Sequence, residues 1–108
     1  MELDEAIVSA KELRELYALL ETKRHGRSWS TEELALGFVG DVGDLAKLVQ
    51  GASGVRNIPN LGPRLAHELA DCLWSVLVLA DALDVDIEQA FSETMTQLKE
   101  YVRAQLAV

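Results

Sequence analysis

The chain has 108 residues, 49% of them hydrophobic, which suits one domain with a real core and excludes disordered and fibrous classes. Its net charge of -8 disfavours a sequence-independent binder of nucleic-acid polymers, because a phosphate backbone would be repelled. No apolar run approaches the ~20 residues of a membrane span.

The acidic start MELDEAIVSA lacks the basic segment of a secretory leader. The one cysteine, Cys72, lies in the apolar run CLWSVLVLA, where an inert, buried thiol is expected. Together these features fit a reducing cytoplasm.

The periodicity predicts helices throughout, in a single domain over residues 1–108. A first helix over about 3–24 carries Leu3, Ile7, Leu13, Leu16, Tyr17 and Leu20 on an apolar stripe. Lys23, Arg24 and His25 suit its negative end, and Gly26 suits its stop. WSTEEL marks the second start: Ser30 and Glu33 form a capping box, with Trp29 and Leu34 placed for a hydrophobic staple. That helix runs to about Gln50. GASGVRNIPNLG is then a loop, long for a compact bundle. Pro63 suits the first turn of a third helix reaching about Leu83. Asp86 and Gln89 suggest another capping box, opening a fourth helix from Ile87 to about Leu106.

From Cys72 to Ala80 only Ser75 is polar. A helix apolar nearly all round is buried on more than one side. A chain this small hardly covers both sides, so a homodimer or higher homo-oligomer is expected. The fold class is therefore all-α, a four-helix bundle completed by homo-oligomerisation.

The second helix holds Gly37, Gly40 and Gly43 at three-residue spacing. Each glycine costs roughly 1 kcal/mol against alanine in a helix interior. Close packing of a neighbour against this flank is the expected compensation. The same stretch holds Asp41 and Asp44, and the third helix holds Glu68 and Asp71, each pair about one turn apart. Apolar neighbours make such acids costly unless cations neutralise them. Four carboxylates on two packed helices suit Mg²⁺, which prefers carboxylate oxygens. Acid pairs also arise on solvated faces by chance, as Glu12 and Glu15 illustrate. His67 is expected to be a partly exposed helix residue, and Trp29 a staple.

GFVGDVGDLAKLV together with LAHELADCLWSVLVLADALDVDIEQAF resembles the MazG-like family of all-α nucleotide pyrophosphohydrolases. The family pattern is Glu-Glu-x-x-Glu on one helix and Glu-x-x-Asp on the next. Glu68 and Asp71 match the second part, while Asp41 and Asp44 replace two glutamates of the first. The resemblance implies hydrolysis of a nucleoside triphosphate to monophosphate and pyrophosphate, in clearance of non-standard or surplus nucleotides. It implies Asp41, Asp44, Glu68 and Asp71 as catalytic metal ligands for Mg²⁺, with Mn²⁺ as a substitute, and assembly into dimers or larger oligomers. Lys99 and Tyr101 are weak candidates for nucleotide contact. Gly40 stands where the family has its first glutamate, for which the resemblance implies a role in positioning or activating water. Glu33, two turns earlier, is one alternative source of that function. A non-catalytic nucleotide- or partner-binding protein is the competing expectation.

Overall fold

Local chemistry sets the helix ends in the computed structural model, which describes residues 1–108. The elements are α1 Leu3–His25, α2 Thr31–Ala52, α3 Leu61–Ala82 and α4 Ile87–Leu106, with no strand. Gly26 adopts φ 81° and donates its N–H to Thr22 O at 2.9 Å, closing α1. The α2 capping box is complete. Ser30 Oγ accepts from the Glu33 N–H at 3.2 Å, and Glu33 Oε1 accepts from the Ser30 N–H at 3.1 Å. At α4 only half of the expected box forms. Asp86 Oδ1 accepts from the Gln89 N–H, but the Gln89 amide turns along the helix to Glu93 Oε1 at 2.9 Å.

The α2–α3 loop returns close to the end of α2. A Cβ at Gly51 would lie 2.8 Å from Ile58 Cδ1 and 3.0 Å from Leu61 Cδ1, so a larger residue here would push those side-chain ends aside. The three α2 glycines differ. A Cβ at Gly37, Gly40 or Gly43 would meet nothing within 4 Å. The expected close packing is therefore absent within this chain, and that flank of α2 faces open space.

α3 lies chiefly against α2 and secondarily against α1. Ala10, Leu77 and Val78 form the core, with Ile7, Leu34, Trp74 and Ile87 packed around them. Trp74 also donates Nε1–H to Ala10 O at 3.2 Å, which ties α3 to α1. Beyond Ile87, α4 leaves this core, and its Phe91, Leu98, Tyr101 and Val102 are exposed. The radius of gyration is 17.3 Å, against about 13 Å for a compact chain of this length. Only seven of 108 residues are buried. On α3, Leu77, Val78 and Ala80 are buried, while Leu69, Leu73 and Val76 are exposed on another side. One side of the apolar helix is thus covered by its own chain and another is not.

Candidate metal centre

Two helices bring the acids together. Asp41 and Asp44 lie on the α2 face toward α3, and Glu68 answers from α3. One carboxylate oxygen from each of these three lies within 4.8 Å of the others. Adjacent ligands of an octahedral Mg²⁺ sit about 3 Å apart and opposed ones about 4.2 Å, so the three oxygens share one ion once their side chains draw in around it. Glu68 Oε2 is shielded from solvent and has no hydrogen-bond partner. An orphaned carboxylate oxygen inside an acidic cluster is the state a cation relieves. The residues present therefore fit a hard divalent ion.

The electrostatics agree. Burial, then the charges of Asp71 and Asp44, pushes the Asp41 carboxyl above its usual range. Burial, then Asp71, Asp41 and Asp44, does the same to Glu68. Asp71 is thus close enough to be felt by both, yet it stands outside the tight trio. Its Oδ2 pairs with His67 Nε2 at 3.1 Å. Cys72 is half-buried beside the cluster, and burial and Asp41 push its thiol up, so it stays protonated and unreactive.

The trio sits between two clefts. One, of about 480 Å³, is lined by Tyr17, Trp29, Phe38 and Trp74, with Asp41 and Asp71 at its inner edge. Tyr17 and Trp74 meet edge to face, with ring centroids 5.6 Å apart. The other, of about 840 Å³, is lined by Asp44 and Glu68 on one side and by cationic residues on the other. Lys99 and Tyr101, on α4, line neither cleft.

A clamp that no sequence spacing announces fixes the rim of the aromatic cleft. Glu21 is buried, pairs with Arg14 Nη1 at 3.2 Å, and accepts from the Trp29 N–H at 2.7 Å. Arg14 Nη2 donates to Trp29 O at 2.9 Å. Both backbone polar groups of Trp29 are thereby held by side chains of α1. Glu21→Ala leaves a largely buried guanidinium unpaired and is expected to cost about 3 kcal/mol. Denaturant unfolding checks this, and a loss under 1 kcal/mol would mean the clamp is slack.

Glu33 is already engaged. Arg27 grips it at 2.6 and 3.1 Å, and with the Ser30 N–H it holds the carboxyl down to about 2. Its carboxylate is thus committed to the helix cap and to Arg27, at the start of α2.

Four helices, without a strand, that present carboxylates from two adjacent helices between two clefts define an all-α protein with an acidic centre. Residues 29–102 match the model of the MazG nucleotide pyrophosphohydrolase domain, and the chain belongs to that family. No curated protein and no solved structure matches the chain. No helix is long and apolar enough to cross a membrane.

Proposed function

We propose that this chain is a Mg²⁺-dependent nucleoside triphosphate pyrophosphohydrolase that clears non-standard or surplus nucleotides. One observation carries the reading: three carboxylate oxygens within 4.8 Å, set between an aromatic cleft and a cationic one. A bound divalent ion supplies charge neutralisation at the phosphates and lowers the pKa of a coordinated water. Asp41, Asp44 and Glu68 hold it, and Asp71 is the fourth carboxylate at the edge. Tyr17, Trp29, Phe38 and Trp74 give the nucleoside an aromatic-lined cleft for its apolar faces. Pyrophosphate release from a panel of ribo- and deoxynucleoside triphosphates, with Mg²⁺ or Mn²⁺, tests the reading. Absence of release from every member would refute it.

A second reading stands on Gly40. With no side chain at 40 and Glu33 locked to Arg27, the chain lacks an evident base on that flank. It then binds nucleotide without appreciable turnover. The same panel separates the two, because binding without pyrophosphate release supports only the second.

Both readings include self-association. Leu69, Leu73 and Val76 on α3, and Phe91, Leu98 and Val102 on α4, are exposed in the single chain. Isolated apolar faces of this extent call for a partner. Sedimentation at micromolar concentration is expected to give at least a dimer, and a clean 11.9 kDa monomer would overturn this.

A further inference from the structure

The 840 Å³ groove is lined by Lys47 from α2, Arg56 and Asn57 from the loop, and Arg64 and His67 from α3. Three of the chain's ten lysines and arginines meet here, although the net charge is -8. None of the three is in an ion pair; Lys23, Arg24, Lys99 and Arg103 are unpaired too, but no three of those share a groove. Arg56 donates Nε–H to Gln50 Oε1 at 2.5 Å, which anchors its stem beside the end of α2. The groove also borders the start of α3. That helix has no side-chain cap and no acid in its first turn, so its positive pole is uncompensated. Cations gathered without protein partners, against the charge of the whole molecule, point to an anion supplied from outside.

The position defines which anion. Asp44 and Glu68 form the acidic wall of this groove, and Asp41 and Asp71 border the aromatic cleft. The metal centre is the passage between the two. We infer that the groove binds the β,γ-diphosphate of the nucleotide, the part that leaves as pyrophosphate, with Arg56 and Arg64 as its binding residues. This rests on the pyrophosphohydrolase reading above. It gives the substrate a direction: nucleoside among the aromatic rings, α-phosphorus at the carboxylates, leaving group toward Arg64. In the reaction, the water oxygen bonds to the α-phosphorus and the bond to the α,β-bridging oxygen breaks. The bond pair leaves with pyrophosphate. One proton of the water ends on that product and the other in solvent. Charge grows on the leaving group as the bond breaks, and fixed guanidinium groups there stabilise it. A monophosphate has nothing to place in the groove.

Calorimetric titration with inorganic pyrophosphate and Mg²⁺ tests the site without turnover. Arg56→Gln and Arg64→Gln are each expected to weaken binding about tenfold, the effect of losing a charge-assisted contact. Lys23→Gln removes the same charge from α1, away from the groove, and is expected to change affinity less than twofold. Arg64 makes no side-chain hydrogen bond in the chain, so its replacement leaves the fold undisturbed. Arg56→Lys keeps the charge and is expected to retain most of the affinity, separating charge from the anchoring of the loop. Wild-type protein that fails to bind millimolar pyrophosphate overturns the inference. So do arginine variants that bind within twofold of wild type, or an equal loss in Lys23→Gln. Failure of the functional reading shows separately, as a nucleotide panel with no pyrophosphate release beside an intact pyrophosphate titration.

Discussion

Asp44→Asn and Glu68→Gln are each expected to weaken Mg²⁺ and Mn²⁺ binding by about 100-fold or more, since loss of even an outer-sphere partner costs 10–100-fold. Asp71→Asn is expected to weaken it less, because Asp71 lies outside the trio and is shared with His67. The same changes should stabilise the metal-free fold. Each removes a like-charge pair one turn apart, worth about 0.2–0.5 kcal/mol, which corresponds to a rise of about 1–4 °C in Tm.

The sign of the pH effect follows from the raised carboxyls. Asp41 and Glu68 bind protons more readily folded than unfolded. Stability of the metal-free protein is therefore greater below the ordinary carboxylate range and falls as pH rises through the raised values. Above the raised values that contribution is gone, and there a divalent ion does most. Adding Mg²⁺ at pH 7 should raise the wild-type Tm and leave Asp44→Asn nearly unmoved. Equal metal affinity in wild type and both trio variants, by calorimetry, would remove the carboxylates from the metal centre.

Local signals were legible where a few neighbouring residues decide the outcome. Ser30 and Glu33 announce the start of α2, Gly26 ends α1, and the acids at 41, 44 and 68 converge because helical spacing puts them on facing sides. The half-formed box at α4 shows the limit: Gln89 had two partners within reach, and spacing does not say which wins. The glycine flank shows another. Three glycines in a row of turns suggest a close neighbour, but whether one exists depends on tertiary placement, and within the chain none does. The cationic groove was out of reach for a simpler reason. Lys47, Arg56 and Arg64 belong to a helix, a loop and a second helix, and only the return of the loop over Gly51 brings them together. The Glu21–Arg14 clamp acts on the backbone of Trp29, which no side-chain pattern encodes.

Gly40→Glu is expected to accelerate hydrolysis by about 10²–10⁴-fold over Gly40→Ala, the usual worth of a positioned general base. Position 40 precedes Asp41, so a side chain there projects about 100° round the helix from the first acid of the trio. A glutamate has the length to lean back over the rim and orient water. The space exists, since a Cβ at Gly40 meets no atom within 4 Å. Both substitutions replace a helical glycine and should add up to ~1 kcal/mol of stability. Alanine gains that without a carboxylate, so the ratio of the two rates isolates the base. Glu33 does not blur the comparison, because Arg27 and Ser30 keep it ionised and occupied in all three proteins. The comparison needs one substrate from the nucleotide panel, with metal affinity measured alongside the rate. A Gly40→Glu protein that folds, binds Mg²⁺ as wild type does and is no faster than Gly40→Ala would show that position 40 limits nothing. Wild-type turnover already in the ordinary range of about 1–10³ s⁻¹ would show that the water is oriented by the metal-bound carboxylates or by a residue of a partner subunit.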